Sequence, residues 1–290
     1  MTCPVTPPTI LPPVSRIIAI GDIHGDLSVL HRSLELAKIA KRDKTRDNMY
    51  HWCASPPDTV VVQIGDMVDR GGRGQTIGDE ASERKIFAQV DLLHREATRA
   101  GGAFYCLLGN HEIMNVLGDL RYTSPMSRDD FGGAMDRIDA FRPGGPMARY
   151  MACNRNVVMK IGDFLFVHGG ILPHHTRFTL ETLNNVMRQY LLGHTASQKY
   201  FDEIYLRDKG VLWSRELAGD TVKCSLLDKP FQTYRVNNMV IGHTVQPQGI
   251  NQACGGKIWR IDTGASKGLG SVHTPQVLEI VDNLQVNILG

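Results

Sequence analysis

Short apolar runs that each stop at a glycine recur along this chain. RIIAI (16–20) halts at Gly21, TVVVQI (59–64) at Gly65 and GGAFYCLL (101–108) at Gly109. Such runs have the length and the β-branched content of strands buried on both faces. Between them, polar residues return at helical spacing. In LSVLHRSLELAKIAKR (27–42), Leu27, Leu30, Leu34 and Ile39 share one face, which predicts a helix over that stretch. A turn is expected around SPPD (55–58) and a polar helix over about 80–99. Strand, polar loop and helix thus follow one another repeatedly. That is the logic of an α/β fold built from βαβαβ units, with loops gathered at the carboxyl ends of parallel strands.

Downstream the pattern changes. Residues of about 116–155 are studded with glycine and proline and only weakly periodic, so loops and short helices are expected there. VVMKIGDFLFVHGG (157–170) reads as two strands around a Gly-Asp turn. Residues 179–209 are polar and helical with aromatic spots, and NMVIGHT (238–244) repeats the strand-to-polar-loop device. GKIWRIDTG (256–264) and PQVLEIVDNLQVNIL (275–289) read as closing strands, the latter turning at Asp282-Asn283. Neither repeats nor low-complexity tracts interrupt the chain. The expected organisation is a Pro-rich extended arm over 1–15 and one domain over 16–290, with specificity excursions at about 116–155 and 171–215.

With 290 residues, of which 42% are hydrophobic and 21% charged, the chain is long enough to bury a core without staples and is not disordered in composition. A net charge of +2 is too balanced to argue for nucleic-acid or membrane partners. No window reaches the roughly 18 apolar residues that a membrane helix requires. The proline-rich start lacks the basic and apolar regions of a secretory signal. Cys3, Cys53, Cys106, Cys153, Cys224 and Cys254 are scattered and form no CxxC pair. They are read as reduced, mostly buried thiols of a cytoplasmic protein.

The strand ends carry the chemistry. They bring Asp22 and His24, Asp66, Asp69 and Arg70, Asn110 and His111, His168, and His243. A lone Asp behind a strand is ordinarily a turn or helix N-cap residue, and a lone His is ordinarily structural. Five strand ends that all finish in carboxylate, imidazole or amide make those separate explanations a poor joint account. Convergent oxygen and nitrogen donors suggest a metal site. The mixed set suits Mn foremost, with Fe or Zn as alternatives, better than Ca or Mg. Six ligating residues are too many for one tetrahedral ion and suit two ions about 3.5–4 Å apart, with Asp66 as the bridging carboxylate.

Two divalent ions outweigh the charges of Asp22, Asp66 and a bridging hydroxide, so the centre attracts an anion. Water on such a metal becomes a nucleophile near neutral pH, its pKa falling from 15.7 to about 7. Arg70, four residues after Asp66, carries a planar fork suited to a non-bridging phosphate oxygen. The expected reaction is hydrolysis of a phosphate ester by metal-bound hydroxide. In LLGNHEIMN (107–115), Asn110 is a neutral ligand facing the phosphate, and His111 is free to protonate the leaving oxygen. Asp69 would hold the tautomer of His111, and Glu112 starts a helix and steadies nearby backbone.

In order, GDIHG, GDMVDRG, GNHE, VHGG and GHT resemble the signature blocks of the phosphoprotein-phosphatase metallophosphoesterases. GNHEIMN, FVHGG, GHTVQ and RIDTGAS are similar to the bacterial-type branch of Shewanella-like protein phosphatases, over residues 16 to about 266. The resemblance implies a calcineurin-like sandwich of two β-sheets flanked by helices. It implies Asp22, His24 and Asp66 on one metal, and Asp66, Asn110, His168 and His243 on the other. It gives His111, Asp69 and Arg70 proton-transfer and phosphate roles, and phosphoproteins or phosphopeptides as substrates. Ala265 stands where the branch usually has methionine. The family's second phosphate arginine has Arg215 as first candidate and Arg121 as runner-up. The rival readings are a small-molecule phosphoesterase or dinucleoside-polyphosphate hydrolase, an inactive scaffold and a nuclease. Substrate selectivity is expected from the excursions, whose aromatic residues are Tyr122, Phe131, Phe141, Tyr150, Tyr190, Tyr200, Phe201 and Tyr205.

Overall fold

The computed structural model describes residues 2–45, 49–74, 76–194, 198–206, 208–270 and 274–290. The three glycine-stopped runs form the strands Arg16–Ile20, Val60–Gln63 and Ala103–Leu107, which pair in parallel. Antiparallel Val277–Val281 and Gln285–Leu289 extend their sheet on one side, and Arg155–Asn156 closes it on the other. The second sheet runs Ile10–Leu11, Val158–Ile161, Phe164–Val167, Asn238–Ile241, Ile258–Arg260, Asn251–Ala253.

The period-2 alternation of a strand explains how the layers join. In Arg16–Ile20, Ile17 and Ala19 share a buried cluster with Val60, Val62, Met159, Phe164, Phe166 and Val240, so they face the second sheet. Ile18 and Ile20 point the other way and pack with Leu30, Leu34, Ile86 and Val90 of the covering helices Leu27–Leu36 and Glu83–Ala100. The result is a two-sheet sandwich flanked by helices. The excursions carry the helices Pro125–Asp129, Ala134–Phe141 and Pro146–Asn154, and then Leu180–Leu191 and Gln198–Tyr205.

Three expectations change. The first helix stops at Leu36, not at Arg42. Lys38 adopts a left-handed φ of 52°, and Ala40–Arg42 pairs with Tyr50–Trp52 as a small antiparallel ladder. Ile39 keeps the helical spacing by coincidence and is buried all the same. The proline-rich arm is tied to the body. Ile10–Leu11 adds in parallel to the second sheet, and Asn156 Nδ2 donates to the carbonyls of Pro7 and Pro8.

The thiol reading is overturned for four of the six cysteines. Cys3 is bonded to Cys153 and Cys224 to Cys254, leaving Cys53 and a buried Cys106 free. The partners lie 150 and 30 residues apart, so no local spacing announces them. Disulfides belong to oxidising surroundings, which removes the chemical ground for expecting a cytoplasmic protein. Among the described residues no helix is long and apolar enough to cross a membrane.

Candidate active site

Within each sheet the donor-bearing strands are parallel neighbours, so their carboxyl ends open on one side. The loops that follow are sharply bent. His24, Asp66, Asp69 and His243 all sit at positive φ (45°, 53°, 73° and 66°), conformations that cost a non-glycine residue about 1–3 kcal/mol. Glycines beside them admit the carboxylates. A Cβ on Gly109 would lie 2.1 Å from Asp66 Oδ1, and one on Gly242 would lie 2.4 Å from Asp22 Oδ1. Those close approaches are what the strand-stopping glycines are for.

Asp66 is the hub. Its Oδ2 lies 3.3 Å from His168 Nε2, 3.8 Å from His24 Nε2 and 3.9 Å from His111 Nε2. Its Oδ1 accepts the His111 backbone N–H at 2.9 Å. His24 Nε2 also lies 3.9 Å from Asp22 Oδ2, and His168 Nε2 lies 3.0 Å from Asn110 Oδ1. The His243 backbone N–H reaches Asp22 Oδ2 at 3.2 Å, and its ring stands 5.1 Å from that of His168. Two groups of donor atoms share Asp66: one with His24 and His111, the other with His168 and His243. The first contains His111 where the sequence reading has Asp22.

The rings are oriented by main-chain carbonyls. Nδ1 of His24 faces Val68 O and Nδ1 of His168 faces Ile64 O, at 3.3 and 3.0 Å, while Nε2 of His243 faces Trp213 O at 3.0 Å. Each ring nitrogen that faces a carbonyl is placed to donate to it, which turns the ring's other nitrogen inward. His168 Nε2 and Asn110 Oδ1 face one another at 3.0 Å, and with Nδ1–H given to the Ile64 carbonyl both can offer lone pairs to a shared cation. The donor set therefore fits metal ions on chemical grounds.

Burial divides the charges. It pushes Asp22 well above the usual carboxylate range, helped by Asp262 and Asp66. Burial also works against ionisation of Asp66, yet the His168 and His111 rings hold that carboxyl well below its ordinary value. Asp66 is thus the ionised member. His24 is held well below the usual imidazole range by burial and by Arg73, and His243 down to about 3 by burial and His168. Both rings are neutral, as ligands must be. His111 goes the other way: burial opposes its charge, but Asp66 and Asp69 raise its pKa.

A second layer fixes these groups. Glu112 accepts the N–H groups of Gly109, Asp66 and Met67 at 2.7, 3.0 and 2.8 Å, which is the backbone-steadying role expected of it. Asp69 Oδ2 lies 2.8 Å from His111 Nδ1, and its Oδ1 accepts from Asn115 at 2.9 Å and Arg137 at 3.3 Å. Arg137 also pairs with Glu83 at 2.7 Å, and Glu83 accepts the Asp69 N–H. Sequence reasoning missed Glu83, Asn115, Arg137 and Asp262. Only Asn115 carries a local signal, standing one helical turn after His111. Asp262, in the strand-to-loop segment RIDTG, is buried and raised to about 6 by burial and the Asp66 charge.

The arginines differ from expectation. Arg70 is buried, and its guanidinium is turned onto Asp26, Glu80 and the Gly25 carbonyl at 3.1–3.2 Å rather than onto the Asp66 hub. Arg73 instead reaches the site, with Nη2 2.8 Å from His111 Nε2. Arg215 flanks His243, donating to its carbonyl at 2.8 Å and to Thr244 Oγ1 at 2.9 Å. Arg121 is exposed and paired with Asp119. Of the eight aromatic residues, Tyr122 stands 5.0 Å from the His111 ring. Phe141, Phe201 and Tyr205 are core residues, and Tyr150 hydrogen-bonds Asp91.

Residues 15–247 match the calcineurin-like phosphoesterase family. The chain is 34% identical to Shewanella-like protein phosphatase 2 of Arabidopsis thaliana, over 94% of its own length and 77% of the relative's. A solved cold-active protein tyrosine phosphatase superposes with a TM-score of 0.77 at 25% identity, covering 96% of this chain and 77% of that one. The cold-active protein-tyrosine phosphatase of a psychrophilic Shewanella species superposes with a TM-score of 0.78 at 24% identity, covering 99% and 83%. Given this agreement of motifs, fold and donor geometry, the chain belongs to the calcineurin-like phosphoesterases and, within them, to the Shewanella-like protein phosphatases.

Proposed function

We propose that this phosphatase hydrolyses phosphoprotein monoesters at a two-metal centre built on Asp66. The observation that carries the reading is the Asp66 Oδ2 atom, which lies 3.3 Å from the Nε2 atom of His168 and 3.8 Å from that of His24. In this reading Asp22, His24 and Asp66 hold one ion, and Asp66, Asn110, His168 and His243 hold the other. His111 is committed to Asp69 and stays out of the ligand set, although its Nε2 is near. Manganese is the first candidate, with iron or zinc as alternatives. When bound, such ions supply Lewis-acid stabilisation of the phosphoryl oxygens and a water acidified enough to attack near neutral pH.

The chain's own residues do the rest. His111, with Nδ1 held by Asp69, delivers a proton from Nε2 to the leaving oxygen. Arg215, beside His243, is the candidate phosphate ligand on that flank. Arg70 braces the loop through Asp26 and Glu80 and serves the phosphate on leaving them. Tyr122 beside His111 favours an aromatic leaving group, since ring contact adds roughly 0.5–1.5 kcal/mol. The two structural relatives named as tyrosine phosphatases agree with that preference. The test is elemental analysis together with turnover of matched phosphotyrosine and phosphoserine peptides in Mn²⁺. Two metals per chain and a preference of about tenfold for phosphotyrosine are expected. Cleavage of dinucleoside polyphosphates with inert phosphopeptides would overturn the reading.

A further inference from the structure

Arg73 is the residue of the site that no signature explains. It follows the DRG segment, flanked by Gly72 and Gly74 at positive φ (75° and 107°). Gly72 is wedged against the Arg121 carbonyl, where a Cβ would lie 2.1 Å away, whereas a Cβ on Gly74 would meet nothing within 4 Å among the described residues. A side chain is therefore shut out at Gly72 and has room at Gly74. The Arg73 side chain lies back over the site. Its guanidinium carbon is 4.6 Å from the centre of the Tyr122 ring, and Nη1 donates to the carbonyls of Gly71 and Asp69 at 3.2 and 3.4 Å. Nη2 rests 2.8 Å from His111 Nε2. The Tyr122 shelf is itself fixed, because the Gly71 N–H donates to the Tyr122 carbonyl at 2.7 Å.

A guanidinium set against a ring nitrogen makes poor use of its charge. No carboxylate pairs with Arg73 among the ion pairs of the described residues. A phosphoryl group offers anionic oxygens in the geometry of the arginine fork, and such charge-assisted bonds are about twice as strong as neutral ones. We propose that Arg73, shelved on Tyr122, is a substrate-binding residue that exchanges His111 Nε2 for a phosphoryl oxygen when the substrate enters. This inference rests on the phosphatase reading above. It adds Arg73 to the phosphate grip that spacing and the family resemblance give to Arg70. The same exchange leaves Nε2 open toward the leaving group, so binding and the uncovering of His111 are one movement. Tyr122 works twice: its face holds the cation, and its edge borders the place of the leaving group.

The experiment compares the wild type with Arg73→Ala, Arg73→Lys and Tyr122→Leu. Metal content, KM and kcat on a phosphopeptide, inhibition by inorganic phosphate, and the phosphate-induced rise in melting temperature are measured for each. Arg73→Ala is expected to raise KM and the phosphate inhibition constant about ten- to a hundredfold, the loss of one charge-assisted contact, with metal content unchanged. The phosphate-induced thermal shift at a fixed phosphate concentration should shrink with it. Arg73→Lys keeps the charge without the fork and should fall between, while Tyr122→Leu should weaken phosphate binding less than Arg73→Ala does. Unchanged KM and unchanged phosphate inhibition in Arg73→Ala overturn the proposal. So does a rise in kcat/KM, which would make Arg73 a mere cover over His111. If the wild type binds phosphate yet hydrolyses no phosphoester, it is the phosphatase reading that fails, and the thermal shift still tests Arg73.

Discussion

His111 Nδ1 and Asp69 Oδ2 face each other across 2.8 Å, with the aspartate wholly buried. The contact fixes the imidazole tautomer, so that Nε2 and not Nδ1 is turned toward the Asp66 hub. Asp69 in turn cannot rotate. Asn115 and Arg137 hold its other oxygen, and Glu83 holds its backbone N–H.

Replacing His111 by Asn should therefore leave the metals in place while kcat falls about 10²–10⁴-fold, the usual range for a lost general acid. The loss should shrink for esters with good leaving groups such as nitrophenol. Steady-state kinetics across a leaving-group series checks it, and an equal loss on every ester would argue against proton donation.

Asp66→Asn should be the most damaging change. The shared anionic oxygen is gone, and two cations would repel without a charged link. Metal content measured by elemental analysis is expected to fall below two per chain, with nearly all activity lost. Retention of two metals would show that Asp66 is not the bridge.

Arg137 carries a structural prediction. It is fully buried between Asp69 and Glu83, at 3.3 and 2.7 Å. Arg137→Met leaves two buried carboxylates facing each other, a loss of about 3–5 kcal/mol when one partner of a buried ionic cluster is removed. Denaturant unfolding measures it. A change under about 1 kcal/mol would mean that the cluster relaxes with little strain.

The two disulfides should matter unequally. Cys3–Cys153 closes a loop of 150 residues and ties the proline-rich arm to the helix Pro146–Asn154, whereas Cys224–Cys254 closes 30. Chain entropy alone gives about 5 kcal/mol for the first and about 1 kcal/mol less for the second, as upper values. Melting of Cys3→Ser and Cys224→Ser should rank in that order, and equal shifts would place the stabilisation in local packing.

Acid sensitivity follows from His175. Burial, with His174 and Arg177, pushes it down to about 3, and its Nδ1 accepts the Leu172 N–H at 3.0 Å. The native chain thus takes up fewer protons there than the unfolded chain between pH 6.5 and about 3. Stability from this ring is complete above pH 6.5 and drains away as pH falls through that window, by up to about 1.4 kcal/mol per pH unit. His175→Asn keeps an acceptor without a titrating group. Its metal-free melting temperature should fall less steeply with acid than that of the wild type, and parallel curves would exclude the ring as a cause.

The strand ends and their donors were legible in the sequence because each is a local pattern, and the motifs they form carried the resemblance that implied the two-sheet fold. An apolar run stops at a glycine, and the glycine is there to let a carboxylate pass close, as Gly109 does for Asp66. Residues next to that glycine must face the same opening whatever the rest of the chain does. Tertiary structure alone decided what pairs across elements. Arg70 and Arg73 both follow Asp66 within seven residues, and spacing does not say that the first turns back onto Asp26 while the second lies over His111. Arg137 meets Asp69 from 68 residues away, and Cys3 meets Cys153 from 150. The first helix gives way at Leu36 because Ala40–Arg42 finds a partner in Tyr50–Trp52, a competition that periodicity cannot see. Periodicity records which face of an element is apolar. Which side chains meet depends on how the elements pack, and that is a property of the whole chain.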